Sequence, residues 1–137
     1  MTTPEPVVAP EIWLAVGRRK TSTARVRLKR GSGLVLINRK EAEKYCSTEH
    51  TFKLLKKAFQ LCDVLNQFDV VATVSGGGIT GQAEALNLGI ARCLVMINPN
   101  FEAPLRKNGL LTRDSRMVER KKYGQPGARK RFQFSKR

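Results

Sequence analysis

Residues 68–96 read FDVVATVSGGGITGQAEALNLGIARCLVM, and this stretch decides the fold. Its first seven residues are rich in β-branched side chains, which predicts a strand over 68–74. Three glycines at 76–78 interrupt the strand, and from Gly81 to about Met96 apolar side chains recur with helical spacing. Because this helix is apolar nearly all round, it is predicted to be the most buried element of the molecule.

Two further elements flank this unit on its N-terminal side. Residues 12–16 form a short apolar run that predicts a strand. Residues 49–62 switch to a helical period, with apolar side chains on one face. The opposite face carries Lys53, Lys56 and Lys57. A lysine-rich polar face is commonly just solvated, so a phosphate contact there is the less favoured of two open interpretations.

Between these elements lies a segment with period-two alternation. In residues 24–29 apolar residues alternate with cations, which predicts a strand with one charged face. The cations are Arg25, Arg27 and Lys29. A glycine-rich turn at 31–33 precedes the apolar run 34–37, so the pattern predicts a hairpin in which 34–37 returns along 24–29.

Charge divides the chain into regions. The 137 residues include 26 Lys and Arg but only 11 Asp and Glu, which gives a net charge of +15. Residues 1–104 contribute 14 basic and 9 acidic residues, whereas residues 105–137 contribute 12 basic and 2 acidic ones. The sequence therefore predicts a variable leader over 1–11, a globular body over 12–104 and an extended basic arm over 105–137. Such a balance invites anionic partners, with nucleic acid, anionic membrane and acidic protein all open at this point.

Several classes of protein are disfavoured. No run of about 18 apolar residues exists, so no membrane span is predicted. The three cysteines, Cys46, Cys62 and Cys93, are scattered without a CxxC pair, which is typical of buried thiols in a reducing compartment. With His50 as the single histidine, the sequence predicts no catalytic site, no metal site and no cofactor.

The glycine-rich segment GGGITG at 76–81 has competing interpretations. It matches GxGxxG between a predicted strand and helix, and Glu102 lies about twenty residues on, as in a dinucleotide fingerprint. However, only a basic arm remains downstream, so a full dinucleotide domain cannot be completed. A Walker A motif fails because Gln82 and Ala83 stand where Lys and Ser or Thr are needed. Contact between RNA phosphate and the loop amides is favoured, with a purely structural turn as the alternative.

Two basic segments predict nucleic-acid binding. Seven of the thirteen residues 18–30 are cations and none is acidic, whereas an ordinary solvated face mixes signs. The arm interleaves cations with Tyr123 and two phenylalanines, a composition that favours RNA through stacking and phosphate contacts. Asp114 or Ser115 is predicted to cap one short helix that runs through Lys121. The alternative for the arm is a flexible tail that only aids solubility.

Three stretches carry a resemblance to a known family. They are AVGRRKTSTARVRL at 15–28, GGGITGQAEALNLGIARCL at 76–94, and LRKNGLLTRDSRMVERKKYGQPGARKRFQFSKR at 105–137. On these motifs the chain resembles the bacterial form of the small-subunit ribosomal protein nine family, over about 13–137. The resemblance implies an α+β two-layer sandwich. In it a mixed four-stranded sheet carries helices on one face, includes an unusual left-handed crossover, and is followed by an extended basic C-terminal arm.

The resemblance also implies a function and partners. A member of this family is a structural constituent of the small-subunit head, ribosome-bound in the cytoplasm, and supports translation without catalysis. The implied partners are the 3′ major domain of the 16S-type rRNA, the anticodon stem-loop of peptidyl-site tRNA and neighbouring head proteins, with no membrane. The competing classes are an enzyme that uses the GxGxxG loop and a free-standing RNA-binding module.

Residues and resemblance together give candidate contacts. The predicted rRNA-binding residues are Arg18, Arg19, Lys20, Arg25, Arg27, Lys29, Gly76, Gly77, Gly78, Thr80, Arg106, Lys107, Arg113, Arg116, Arg120, Lys121, Lys122, Tyr123, Arg129, Lys130 and Arg131. The resemblance implies that the tRNA-contacting terminus is Ser135, Lys136 and Arg137.

Overall fold

The computed structural model describes residues 12–46, 48–131 and 133. The strands are β1 (Ile12–Arg19), β2 (Ser22–Arg30), β3 (Val35–Ile37), β4 (Lys40–Glu41) and β5 (Phe68–Ser75). The helices are α1 (Ala42–Tyr45), α2 (Glu49–Leu61), α3 (Ile79–Ile97) and α4 (Glu102–Lys107), with a short 3-10 turn at Pro99–Phe101 before α4. The strands form one mixed sheet in the order β1-β2-β5-β3-β4. The architecture is therefore α+β, as the resemblance implies.

The sheet has five strands rather than the four that were expected. The additional one is β4, a two-residue strand whose Lys40 pairs with Ile37 in antiparallel register. It follows β3 after a two-residue turn in which Asn38 and Arg39 both have positive φ. The side chain of Asn38 stabilises this turn by binding it to β5. Its Nδ2 donates to the Val74 carbonyl at 2.9 Å, and its Oδ1 accepts from the Val74 N–H at 2.8 Å.

The predicted hairpin between 24–29 and 34–37 is wrong. β5 lies between β2 and β3, antiparallel to the former and parallel to the latter. Asp69 on β5 stabilises this arrangement, because its Oδ1 accepts the backbone N–H of all three residues 32–34 at 3.0 Å each. The segment after β2 therefore wraps around a carboxylate of β5 instead of turning back on β2. The hairpin that does form joins β1 to β2 through Lys20, which has φ +53°, and Thr21.

Helix α3 is the centre of the core, which confirms the prediction of a deeply buried helix. It begins at Ile79, two residues earlier than predicted, and ten of its residues are buried. It packs across β1 and β2, and α2 packs against it. Two glycines permit the close approach: a Cβ built on Gly17 would lie 1.8 Å from the Ala85 carbonyl oxygen and 2.6 Å from the Gly89 nitrogen. No side chain fits between strand and helix at that point.

Helix α2 spans Glu49–Leu61, close to the predicted range 49–62. Thr48 caps it, because its hydroxyl oxygen accepts from the Thr51 N–H. Leu55, Ala58 and Phe59 are buried on the face toward α3. The amphipathic pattern of the sequence is thus realised as a helix that covers the core.

The C-terminal part begins inside the core. Leu105 of α4 is fully buried, so the last packed helix spans the predicted body–arm boundary at 104. The predicted helix from 114 or 115 to Lys121 is wrong, since residues 113–122 contain no helix. Asp114 instead accepts the Arg116 N–H at 3.0 Å and binds the Arg116 guanidinium, which fixes an extended segment rather than a helix start.

Candidate nucleic-acid interface

The glycine loop lies directly on the β1–β2 turn. Gly76 and Gly77 have φ of +76° and +61°, and a Cβ on Gly76 would lie 2.4 Å from the Thr21 carbonyl oxygen. A Cβ on Gly77 would lie 2.1 Å from the Ser22 Oγ. Both positions therefore require glycine for conformation and for space. Gly78 differs, with φ −96° and no atom within 4 Å of a built Cβ.

Hydrogen bonds hold this loop in one shape. The Gly76 carbonyl accepts from the buried Ser22 hydroxyl at 3.0 Å and from the Gln82 Nε2 at 3.0 Å. Residues 76–80 are nevertheless exposed, and Gly78 begins α3 without a capping side chain. The first amides of a nineteen-residue helix thus face outward from a rigid loop, which is the arrangement that binds phosphate at helix N-termini.

Cations and the arm surround the loop. Lys20 is exposed on the turn, and a cleft of about 450 Å³ runs between the turn, the glycine loop and the arm. Lys20 and Thr21 line one side of it, and Met117 and Val118 of the arm line the other. Lys20, Gly77 and Gly78 thus line one cleft, and Gly76 and Thr80 lie beside them in the glycine loop.

The charged strand face also has the predicted form. Arg25, Arg27 and Lys29 are exposed on β2, while the alternate residues Ala24, Val26 and Leu28 are buried against α3. Within the part of the chain that the structure describes, no carboxylate lies within ion-pair distance of these three cations or of Arg18. The charge of these cations is therefore not neutralised by a carboxylate of the described residues, and the cations can bind an anionic partner.

Arg19 differs from its neighbours because its guanidinium is directed inward. Its Nε lies 2.6 Å from Glu84 Oε2, its Nη1 donates to the Arg116 carbonyl at 2.7 Å, and its Nη2 lies 3.5 Å from Asp114. Only 12% of the side chain is exposed. Arg19 thus joins β1, α3 and the start of the arm, which leaves Arg18 and Lys20 as the exposed cations of this turn.

Carboxylates hold two of the predicted arm cations. Asp114 binds Arg116 through 2.7–3.1 Å contacts, and hydrogen bonds from Arg116 keep the pKa of Asp114 well below its usual range. Glu119 binds Arg129 in the same two-pronged manner at 2.8 and 3.0 Å, which lowers the pKa of Glu119. Both pairs are largely exposed, so each adds little stability and a phosphate can compete for the arginine.

The other predicted arm residues are exposed. Tyr123 has 96% of its surface accessible. The exposed cations of α4 and the arm are Arg106, Lys107, Arg113, Arg120, Lys121, Lys122, Lys130 and Arg131. Arg106 also pairs with Glu102 one helical turn away. The predicted tRNA-contacting residues Ser135, Lys136 and Arg137 lie outside the described residues.

The described residues hold no other chemical centre. Over 12–46, 48–131 and 133, no three His, Cys, Asp or Glu residues cluster as metal ligands. The three cysteines are buried thiols, as predicted, and burial raises the pKa of Cys93 to about 12, so this thiol stays protonated near neutral pH. Of the helices described, none has the length and apolar character needed to cross a membrane.

Sequence reasoning did not find the residues that hold the interface in shape. Asp69, Ser22 and Glu84 bind the loop after β2, the glycine loop and Arg19 respectively. A lone carboxylate within a β-branched strand was the one available signal for Asp69. Ser22 and Glu84 carry no comparable signal, because their partners lie 54 and 65 residues away.

Comparison with known proteins identifies a family of similar sequences. The family model described as ribosomal protein S9/S16 matches residues 17–137. The chain is 55% identical over 127 residues to small ribosomal subunit protein uS9 of Amoebophilus asiaticus, covering 93% of this chain and 99% of that protein. It is 54% identical to the protein of the same name from Cytophaga hutchinsonii, with the same coverage. The Rickettsia bellii protein of that name is 52% identical over 91% of this chain and 76% of its own length.

Proposed function

The chain belongs to the ribosomal protein S9/S16 family, and we propose that it binds the 16S-type rRNA of the small ribosomal subunit through the glycine loop, the exposed cations of the β1–β2 turn and the arm. The family consists of structural ribosomal proteins, so the expectation that the chain is not an enzyme is confirmed. The GxGxxG loop is accordingly assigned to RNA phosphate rather than to a dinucleotide.

One observation carries the proposal. A rigid glycine loop presents the outward amides of α3 beside the exposed Lys20, and the arm passes along the same cleft. Hydrogen-bond donors and cations thus converge where a phosphate backbone would run between body and arm. The exposed cations of the arm add to this positive surface.

The proposal assigns different contacts to different parts of the chain. The body over 12–104 and the arm over 105–137 hold the 3′ major domain of the rRNA in the head of the subunit, near neighbouring head proteins. The terminal residues 135–137 reach the anticodon stem-loop of peptidyl-site tRNA. The family resemblance supports this last contact, and the leader over 1–11 is assigned no contact. The protein acts ribosome-bound in the cytoplasm.

Salt dependence tests the RNA contact directly. If about eight phosphates are neutralised, the logarithm of affinity for a 3′ major domain transcript should fall against the logarithm of salt with a slope near −6 to −7. Lys20→Ala should make the slope shallower by about one contact, whereas Lys57→Ala, at an exposed lysine of α2 outside the proposed contact surface, serves as the charge-matched control. A parent slope shallower than about −2 would mean that the charge does not contact phosphate.

Reconstitution tests the ribosomal role. The protein should co-sediment with small subunits in equimolar amount on a sucrose gradient after a high-salt wash. A free-standing RNA-binding module would share the salt slope but would wash off. Gly76→Ala is expected to reduce incorporation, because its Cβ would displace the loop from the turn.

A further inference from the structure

The outer face of the sheet combines charge with exposed apolar side chains. Ile12, Leu14 and Val16 form a column along β1 with 55%, 60% and 39% of their surfaces accessible. Val71 on β5 is 40% exposed. A scatter of single exposed hydrophobic residues needs no explanation, but a contiguous apolar patch marks an interaction surface.

The strand register brings these side chains together. In one row across four strands, Leu14 pairs with Arg27, Arg27 with Val71, and Val71 with Leu36. The next rows pair Val16 with Arg25 and Ile12 with Lys29. Because neighbouring strands lie about 4.8 Å apart, the column of three cations on β2 stands beside the aliphatic column of β1. On its other side Val71 is the one aliphatic residue that β5 has on this face, between Asp69 opposite Lys29 and Thr73 opposite Arg25. Helix α3 packs on the opposite face, and no other described element packs over this one.

This pattern fits a protein better than RNA. Bases of single-stranded RNA stack on aromatic side chains, whereas the apolar side chains that the described strands β1 and β5 expose on this face are aliphatic. Aliphatic columns gain free energy by leaving water against other apolar side chains. The cations between them would then be buried as well, and burial requires an opposite charge on the partner. The complement is therefore a row of carboxylates with a row of aliphatic residues on the side that meets β1.

We propose that the outer sheet face, built on Leu14, Arg27 and Val71, docks an acidic amphipathic segment of a neighbouring small-subunit protein. Arg25, Arg27 and Lys29 then pair with carboxylates of that segment instead of rRNA phosphates. The proposal rests on the proposed place of this chain in the small subunit, and it reassigns three of the predicted rRNA contacts.

A site-specific photocrosslink tests this assignment. The benzophenone amino acid p-benzoylphenylalanine replaces Leu14 in one variant and the exposed Lys57 of α2 in a control, and both are reconstituted into small subunits. Gradient-purified subunits are irradiated, and adducts are separated by nuclease and protease treatment. The expected adduct at position 14 is a peptide containing Asp or Glu beside aliphatic residues, absent from the control.

The possible outcomes separate the two proposals. An RNA adduct, no adduct, or a peptide without carboxylates at position 14 overturns the docking surface but leaves the ribosomal role intact. Failure of the parent protein to co-sediment with small subunits overturns both the docking surface and the ribosomal role. Arg27→Glu should reduce the crosslink yield about tenfold, and reversing one carboxylate of the crosslinked peptide to Arg should restore it. A yield unchanged by Arg27→Glu would also contradict the proposal.

Discussion

Replacing Gly17 by alanine is the sharpest test of how this fold is held together. The new Cβ would lie 1.8 Å from the Ala85 carbonyl oxygen and 2.6 Å from the Gly89 nitrogen, both of which are backbone atoms of α3. A normal contact needs about 3.4 Å, so β1 and α3 must separate by roughly 1.6 Å along their most extensive contact. Neither partner is a flexible side chain, and the strain therefore spreads into the packing of the whole helix.

We expect Gly17→Ala to lower the free energy of unfolding by about 3 kcal/mol, at the upper end of typical overpacking costs. With a urea dependence of about 2 kcal/mol per molar, the unfolding midpoint should fall by about 1.5 M. Trp13 on β1 contacts the ring of Phe68 on β5, so its fluorescence reports the sheet, and circular dichroism reports α3.

The matched control is Gly78→Ala. Its φ of −96° suits alanine and its surroundings are open, so the free energy of unfolding should stay within about 0.5 kcal/mol of the parent or rise slightly. If Gly17→Ala unfolded at the same urea concentration as Gly78→Ala, the close approach of β1 and α3 would not be a packing constraint, and the reasoning would be refuted.

Three further outcomes are expected. Leu86→Ala or Ile90→Ala should each lower the free energy of unfolding by about 2–5 kcal/mol, and an unchanged urea midpoint in both would contradict the buried position of α3. Asp69→Asn should cost about 1–3 kcal/mol near neutral pH. Hydrogen bonds lower the pKa of Asp69 in the folded protein, so the stabilisation by its carboxylate is present above about pH 4 and is lost as the pH falls through the lowered pKa. The free energy of unfolding of parent and variant should therefore converge at low pH. A difference between them that stays constant from about pH 7 to about pH 2 would refute this role. Deleting residues 135–137 should leave assembly intact and weaken tRNA binding to small subunits several-fold, since each phosphate contact is worth about 1 kcal/mol; filter binding equal to the parent would remove the proposed tRNA role.

Local patterns predicted the elements of the fold but not their arrangement. The apolar periodicity of α3 and the alternation in β2 were sufficient to place both elements, because each pattern reports burial directly. The order of strands is stabilised by contacts distant in sequence, such as those of Asp69 with amides 35–37 residues away. No periodicity reports such a contact, and adjacent strands joined by glycines therefore looked like a hairpin.

The candidate interface was likewise predicted only in part, because the sequence identifies charged residues but not the direction of each side chain. Composition identified the cationic segments, and the glycine loop followed from its sequence context. Arg19 was grouped with its neighbours because the sequence shows three consecutive cations, but its side chain falls on the inward side of β1, where Glu84 receives it. The orientation of one residue in a charge run depends on the register of the strand and on a helix 65 residues later.

The position of β5 in the middle of the sheet also affects how the chain folds as it is synthesised. β1 and β2 can pair as soon as they emerge, but the strand that covers the other edge of β2 begins at Phe68, 38 residues after β2 ends at Arg30. At synthesis rates of about 5–20 residues per second, that edge stays open for roughly 2–8 s. The three cations along β2 repel a second copy of the same strand during this interval. The positive charge of β2, which we propose binds a partner in the assembled subunit, therefore also disfavours pairing between the nascent β1–β2 hairpins of neighbouring chains on the polysome.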